Sequence, residues 1–479
     1  MIQLGNRRQQ RLAFLAVFAL IAIACGGSGT GETGVDSTAA TTAAPTATTG
    51  GAATTGGTAA TGEPVSLRYA MWDANQQPAY QQCADDYMAA NPNVTIALEQ
   101  IGWGDYWTGL QTSTIAGNAP DIFTNYIGQV PEFADKGLLV DLAPLIERDN
   151  VDLGIYRPGL VDLWVRDGVQ WGLPKDWDTV AIVYNVDMLD AAGVTVEELN
   201  SATWNPTDGG TFEEIIARLT LDANGNNGLS PDFDPENVVQ FGFIPQGNGN
   251  GIGNVDWSWL AVSNGFMFQP EPWSPTYNYD SPELVETLEW LRSLWNEKGY
   301  APDYAEVSSL GATALYLAGE GALVPDGSWM INGYVDAEDI TSGFAKLPEG
   351  PVGRRSATNS LADSIWSGSP NQEAAWEFVK YLASPACLDV VGSTGVVFPS
   401  IDSGTQLVLD LRAEQGVDIS AFVDQSADPE GTFLNPIGDA FAEVSTIMTD
   451  FEDRIFGSTD DIQALLTEAN SQVNEATGG

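Results

Sequence analysis

The chain has 479 residues, of which 18 are basic and 65 acidic, and its formal net charge is −47. This excess of carboxylates disfavours nucleic acid and anionic membranes as partners, because their phosphates are bound by Lys and Arg. A neutral or cationic ligand is expected instead. The chain contains no histidine, which excludes histidine-based hydrolytic triads and histidine-containing zinc sites, while catalysis by paired carboxylates stays open.

The first 25 residues have the pattern of a secretion signal. Three arginines within 7–11 precede an apolar run over 12–24, which is shorter than the roughly 20 residues that a spanning helix needs. Residues 22–25, Ala-Ile-Ala-Cys, resemble the lipobox of bacterial lipoproteins. We therefore predict a signal peptide over 1–24 and a lipid anchor on Cys25 that holds the protein outside the cell membrane. The alternative is an ordinary cleaved signal with an unmodified cysteine.

A tether is predicted between this signal and the globular part. Residues 25–63 consist almost wholly of Gly, Ala, Thr and Ser after the cysteine, so they cannot bury a core. The globular part begins near Pro64 and is large enough for two lobes. Its two cysteines, Cys83 and Cys387, can form a disulfide in an oxidising compartment or stay as separate buried thiols.

The globular part opens with alternating strands and helices. The hydrophobic spacing predicts these elements in chain order: a strand over 65–71, a helix after Pro78 that ends at 91–93, a strand over 94–98, a helix over 105–116, and a strand over 121–124. This order predicts a parallel sheet with right-handed crossovers. Ligands collect at the carboxyl ends of such strands, which here carry Trp72, Asp73 and Tyr126.

Several later segments match one family in order and spacing. They are Ala119-Pro120-Asp121-Ile122-Phe123, Lys136-Gly137-Leu138-Leu139, Trp171-Gly172-Leu173-Pro174, Val183-Tyr184-Asn185-Val186-Asp187-Met188-Leu189, Ala192-Gly193-Val194, Thr203-Trp204-Asn205, Gly321-Ala322-Leu323, Gly327-Ser328-Trp329 and Glu373-Ala374-Ala375-Trp376-Glu377-Phe378-Val379. On these segments the chain resembles the extracellular solute-binding proteins of sugar ABC importers, the maltose-binding-protein-like group.

The resemblance implies an α/β fold of two periplasmic-binding-protein-like lobes, joined by hinge-crossing strands in the type II arrangement. A sugar binds in the cleft, the lobes close over it, and it passes to the membrane permease subunits of the importer. No enzymatic activity and no cofactor are implied, and a monomer is expected. The implied boundaries are 64–178 with 327–381 for the first lobe and 179–326 with 382–479 for the second, with crossings near Asp178, Asp326 and Tyr381.

Sugar binding calls for flat aromatic rings together with polar partners for hydroxyls. The chain has 15 Trp, most of which are expected in the core. Strand ends and the resemblance select the candidate ligand-binding residues, which are Trp72, Asp73, Tyr126, Trp177, Asp178, Trp257, Trp259, Trp329 and Asp363. Trp257 and Trp259 share one face if their segment is extended.

One segment has the spacing of a calcium loop. Asp222, Asn224 and Asn226 place oxygen atoms at the first, third and fifth positions of such a loop, but the glutamate expected at its twelfth position is missing. The favoured interpretation is a Gly/Asn turn without metal.

Two other functions are considered. A protein of the same fold can bind a polyamine or another cationic solute through carboxylates and cation–π contacts, and a cleft with several acids but no basic donor would favour it. A secreted glycoside hydrolase would need two carboxylates that face each other across one bond. The sequence gives no signal for such a pair.

Overall fold

The structure is a computed structural model that describes residues 63–247, 251–428 and 430–479. The predicted signal peptide, Cys25 and nearly all of the predicted tether lie outside these residues. The strands are β1 Val65–Met71, β2 Val94–Gln100, β3 Ile122–Tyr126, β4 Val165–Arg166, β5 Val169–Gln170, β6 Leu173–Pro174, β7 Asp176–Asn185, β8 Leu221–Asp222, β9 Val238–Phe243, β10 Gly321–Gly327, β11 Ser342–Ala345, β12 Ser356–Asn359, β13 Leu361–Ile365, β14 Phe398–Pro399 and β15 Thr432–Leu434.

Helices surround these strands. They are α1 Gln77–Ala90, α2 Trp103–Ala116, α3 Val130–Ala134, α4 Ala143–Asp149, α5 Val186–Ala192, α6 Val196–Asn200, α7 Gly210–Leu219, α8 Ser258–Ser263, α9 Pro282–Asn296, α10 Tyr304–Leu310, α11 Ala312–Leu317, α12 Ile331–Val335, α13 Gln372–Leu382, α14 Pro385–Thr394, α15 Asp402–Glu414, α16 Ser420–Ala427, α17 Phe441–Gly457 and α18 Ile462–Thr477. Among the described residues, no helix is both long and apolar enough to cross a membrane.

The first lobe is built on a five-stranded sheet in the order β2-β1-β3-β13-β6. The strands β1, β2 and β3 run parallel, as the alternating strand and helix pattern predicts. In β1 the side chains of Leu67 and Tyr69 are fully buried while Ser66 and Arg68 face outward, because successive side chains of a strand point to opposite faces. Their burial against α1 holds this sheet in place.

The second lobe is built on a larger sheet in the order β15-β12-β7-β10-β9-β8, with β11 and β14 also paired to β7. The ten-residue strand β7 is its centre, and its residues from 180 to 183 are fully buried. A nearly continuous apolar run such as this is typical of a strand that is covered on both faces. The structure therefore has the two-lobed α/β fold that the resemblance implies.

Three short connections join the lobes and are hydrogen-bonded to one another. Lys175 is the single residue between β6 and β7, and its N–H donates to Leu361 O at 2.9 Å. The hydroxyl of Ser360, between β12 and β13, donates to Asp176 O at 2.8 Å. The N–H of Ser400, directly after β14, donates to Lys175 O at 3.1 Å. These contacts place the hinge at residues 175, 360 and 400.

Two segments lie in a different lobe from the one that the implied boundaries give them. The strands β11 and β12, within residues 342–359, pair with β7 in the second sheet, and α14 packs on α1 of the first lobe. The physical reason is that the chain leaves the second sheet after β12 and re-enters the first sheet only at Leu361, and it returns to β7 only at 398–399. The crossings implied near Asp326 and Tyr381 therefore fall later in the chain.

The two cysteines of the globular part are joined. Cys83 of α1 and Cys387 of α14 form a disulfide with their Cα atoms 5.3 Å apart. Of the two sequence-based alternatives, the structure has the bridge rather than two separate thiols. The disulfide links α14, which lies late in the chain, to α1, the first helix of the first lobe.

Candidate functional site

A cavity of about 590 Å³ opens at the carboxyl ends of the first-lobe strands and beside the hinge. Six of the nine predicted binding residues line it: Trp72, Asp73, Tyr126, Trp177, Asp178 and Trp329. Trp72 and Asp73 follow β1, and Tyr126 ends β3. The topology of a parallel sheet therefore brings these side chains together from distant parts of the chain.

Three tryptophans form the first-lobe wall. The ring centroids of Trp72, Trp103 and Trp107 lie 5.2–5.5 Å from one another. Trp103 stands nearly perpendicular to the other two rings, an arrangement that aromatic rings favour. Trp103 is 42% exposed, more than any other tryptophan of the described residues. An exposed tryptophan at a cavity offers an apolar face to a ligand.

Trp103 and Trp107 are absent from the sequence-based set. Trp103 begins α2 and Trp107 follows four residues later, so both lie on one face of that helix. A helical aromatic pair is usually core, and this spacing alone does not separate the two cases. The distinguishing signal is that only two residues separate α2 from β2, so the helix starts where the chain passes the carboxyl end of the sheet.

Trp177 lines the cavity but is mostly committed to packing. Its ring stacks on Phe398 with centroids 4.8 Å apart, and the Arg157 guanidinium lies 4.5 Å from its centroid. Its Nε1–H donates to Thr405 Oγ1 at 3.2 Å. With 3% exposure, the ring can present little more than an edge.

The Trp329 ring rests on the backbone of Gly327. A Cβ at Gly327 would overlap the far edge of that ring, so the missing side chain makes room for it. Gly327 has an extended backbone with φ −85°, which any residue adopts. Its role is therefore close approach of the ring rather than conformational freedom.

Three carboxyl groups line the cavity. The Asp73 oxygens accept from Asn75 N at 2.8 Å and from Gln76 Nε2 at 2.9 Å. Asp176 Oδ1 accepts from Leu361 N at 2.8 Å, and burial raises the pKa of Asp176 to about 7 although Lys175 opposes this. Burial and the charge of Asp176 raise the pKa of Asp178 well above its usual value.

Three residues that line the cavity each have a buried polar atom without a partner among the described residues. These atoms are Trp107 Nε1, Gln129 Oε1 and Asn359 Oδ1. Buried polar atoms are nearly always hydrogen-bonded in proteins, so atoms like these are where a ligand or water is expected. One is a donor and two are acceptors, a set that matches hydroxyl groups.

The other three predicted binding residues do not line the cavity. Trp257 and Trp259 are fully buried, since residues 258–263 form the helix α8 and not an extended segment. Trp257 Nε1 donates to Glu452 Oε1 at 2.6 Å, and Trp259 packs on Phe212. The expectation that both rings face the cleft is therefore wrong.

Asp363 lies inside the first sheet, in the middle of β13. Its Oδ1 accepts from Tyr69 OH at 2.9 Å, from Thr124 Oγ1 at 2.9 Å and from Lys175 Nζ at 3.1 Å. Its role is to neutralise a buried lysine, and it is too deep to contact a ligand in the cavity.

The calcium-like segment is a turn. Asp222 Oδ1 accepts from Asn224 N and Asn226 N, and Oδ2 accepts from Asn226 Nδ2 and Asp234 N, all within 2.8–3.1 Å. Burial alone would raise the pKa of Asp222, but these bonds outweigh it and lower the pKa to about 2. Because N–H donors occupy both oxygens, the carboxylate has no lone pair directed at a cation.

The charge of the cavity is one-sided. Among the described residues that line it there is no Lys and no Arg, whereas Asp73, Asp176 and Asp178 all contribute carboxyl groups. A site of this kind does not suit an anionic ligand.

Comparisons with known proteins give a family match. Residues 73–386 match the sequence model of a family described as bacterial extracellular solute-binding protein. The chain is 25% identical over 318 residues to the maltotriose-binding protein of Pyrococcus abyssi, and this match covers 65% of this chain and 60% of that protein. It is 27% identical over 320 residues to the lactose-binding protein of Rhizobium radiobacter, covering 64% and 68%.

Solved structures have the same fold. UspC of M. tuberculosis has a TM-score of 0.69 and 26% identity, and covers 86% of this chain and 100% of that one. The substrate-binding protein Lmo0181 of Listeria monocytogenes, solved in complex with cycloalternan, has a TM-score of 0.75 and 21% identity, and covers 87% and 100%. The match to the second structure supports the fold alone.

Proposed function

Because the chain belongs to the family of bacterial extracellular solute-binding proteins, we propose that it captures a sugar or oligosaccharide between its two lobes. The observation that carries this proposal is the wall of Trp72, Trp103 and Trp107 beside three unpartnered polar atoms. Sugar rings have apolar C–H faces, which pack on aromatic rings, and hydroxyls, which need donors and acceptors. A volume of about 590 Å³ is in the range of small-molecule sites.

Delivery to the permease of an ABC importer follows from the same proposal. The family is extracellular, so the ligand is captured outside the cytoplasm. A lipid anchor on Cys25 and the tether predicted over 25–63 would keep the loaded protein close to the membrane. We propose that the protein acts as a monomer.

The proposed protein is a carrier and not a hydrolase. The relatives that it matches are solute-binding proteins. A glycoside hydrolase needs two carboxyl groups on opposite sides of one bond. Asp176 and Asp178 lie two residues apart at the start of one strand, so they point to the same side of it and do not form such a pair. The third carboxyl group, Asp73, is held by hydrogen bonds from Asn75 and Gln76.

A cationic solute is the second candidate, and one observation favours it. Three carboxyl groups and no Lys or Arg line the described part of the cavity, as a polyamine would require. Burial argues for the sugar. It raises the pKa of Asp176 to about 7 and that of Asp178 well above its usual value, so two of the three cavity carboxyl groups are favoured in the neutral form, which can donate a hydrogen bond to a hydroxyl.

Trp103→Ala tests the aromatic wall. In isothermal titration with the oligosaccharide that binds best among maltotriose, lactose and mannotriose, this variant should lose at least tenfold in affinity. The matched control is Ile115→Ala on the same helix, where the side chain is 86% exposed and outside the cavity. Equal affinities of the two variants would place the ligand elsewhere.

A further inference from the structure

Arg166 connects the two lobes beside the cavity. Arg166 Nη1 lies 2.5 Å from Asp439 Oδ1, and its Nη2 lies 3.2 Å from Asp439 Oδ2. Its guanidinium carbon is 4.2 Å from the ring centroid of Trp273. A bidentate ion pair combined with a stacked ring is the geometry in which an arginine binds most specifically.

The two sides of this contact belong to different lobes. Arg166 ends β4 in a hairpin whose turn, Asp167-Gly168, has positive φ at both residues, as a tight two-residue hairpin requires. The chain directly after this hairpin is fixed to the first sheet by a hydrogen bond from Ser364 Oγ to Trp171 O at 2.9 Å. Asp439 follows β15, a strand of the second sheet.

Trp273 makes this contact from a strained backbone conformation. Its φ is 69°, a left-handed conformation that is uncommon for a bulky residue. Its N–H donates to Ile437 O at 2.9 Å, two residues before Asp439. Such strain persists where the surrounding structure imposes it, and it is found mainly at functional contacts.

The contact adjoins cavity residues on both sides. The Asp135 carboxylate lies 3.7 Å from Arg166 Nη1. Asp135 directly follows the helix α3, and α3 begins directly after Gln129. Asp439 lies two residues before Phe441, whose ring packs on Tyr126 with centroids 5.8 Å apart. Gln129, Tyr126 and Phe441 all line the cavity. Separating the lobes at Arg166 would therefore move walls of the cavity apart.

We propose that Arg166 is a positioning residue that clasps the lobes together through Asp439 and Trp273. The clasp acts from outside the cavity, and it sets the balance between open and closed protein. Closure brings the Gln129 and Phe441 walls against the ligand, so loss of the clasp weakens binding without removing any ligand contact. The proposal rests on the lobe contacts alone and does not depend on the ligand class.

Small-angle X-ray scattering of the ligand-free protein tests the clasp. Arg166→Gln should increase the radius of gyration, because losing an exposed bidentate pair and a cation–π contact shifts the ratio of open to closed protein about three- to tenfold. Raising NaCl from about 0.1 M to 1 M should open the wild type in the same direction, but not Arg166→Gln, because salt screens the ion pair.

Two further variants complete the test. Arg218→Gln removes a pair of similar exposure, Arg218 with Glu198, inside the second lobe, and should leave the radius of gyration unchanged. Trp273→Gly removes the ring at a position whose φ suits glycine, and should open the protein even if Arg166→Gln folds poorly. Identical radii for the wild type, Arg166→Gln and Trp273→Gly would overturn the proposal.

Discussion

Lys175 donates a hydrogen bond to Asp363 across 3.1 Å, and neither side chain is open to solvent. The same Nζ donates to Tyr69 OH at 2.7 Å and to Thr124 Oγ1 at 3.1 Å, and it lies 3.7 Å from the Tyr80 ring centroid. Because Lys175 is also the hinge residue between β6 and β7, this network fixes one hinge connection to three strands of the first sheet.

Lys175→Met is expected to destabilise the protein by about 3–5 kcal/mol, since Asp363 would be left as a buried charge without its partner. Urea unfolding followed by tryptophan fluorescence measures the loss. Lys136→Met is the control, because Lys136 pairs with Glu132 on the surface and such pairs contribute about 0–1 kcal/mol. Similar unfolding midpoints for both variants would show that the buried network does not stabilise the hinge.

Gly327→Ala is expected to weaken ligand binding without replacing a cavity side chain. The added methyl overlaps the Trp329 ring and must push it into the cavity or away from it. Gly109→Ala is a matched control on α2, where a Cβ meets nothing within 4 Å. Titration calorimetry should show a loss of affinity for Gly327→Ala only, approaching that of Trp329→Ala. Unchanged affinity in both Trp329→Ala and Gly327→Ala would remove Trp329 from the site.

Acid should stabilise the fold between pH 8 and pH 5. Burial raises the pKa of Asp256 to about 7 and that of Glu452 to about 8, whereas unfolded carboxyl groups titrate near pH 4. The folded state therefore holds these protons more tightly. The resulting stability is complete below about pH 4 and is lost as the pH rises through 7 and 8.

Thermal melts across this range test the linkage. Glu452→Gln keeps an acceptor for Trp257 Nε1 but cannot ionise, so its melting temperature should fall less steeply with rising pH than that of the wild type. A wild-type melting temperature that rises from pH 5 to pH 8, or parallel curves for the two proteins, would contradict the assigned burial of Glu452.

Removing the disulfide should cost stability and not affinity. The Cys83→Ser, Cys387→Ser double variant loses a bond that closes a long loop, which typically stabilises by about 2–5 kcal/mol. Its melting temperature should be several degrees lower, and a reducing agent should lower that of the wild type alone. A wild type that is indifferent to reductant would show that the bridge does not form.

The start of the fold could be predicted because each strand and helix there has a clear period. The alternation over 65–71 and the helical face of α1 define a β-α-β unit, and its topology places Trp72 and Tyr126 at one edge. Trp103 and Trp107 were missed since their helical spacing equally describes a core face. The hydrophobic spacing of a helix indicates which side chains are shielded from bulk solvent. It does not indicate whether those side chains face the core or a cavity.

The wrong predictions depended on long-range contacts. Asp363 is neutralised by Lys175, 188 residues away in the chain, and no local pattern encodes that pairing. Trp257 and Trp259 needed an extended segment, but α8 turns both rings into the core. The crossings at 360 and 400 are likewise set by pairing with β7 rather than by turn signals.

The central claim is that the cavity binds a neutral sugar and not a cation. Titration calorimetry of the wild-type protein with maltotriose, lactose and mannotriose, beside the polyamines spermidine and spermine, tests it most directly. The account predicts saturable binding of at least one oligosaccharide, lost in Trp103→Ala, and no binding of the amines. Binding of the amines alone would contradict it and would assign the three carboxyl groups of the cavity to a cationic solute.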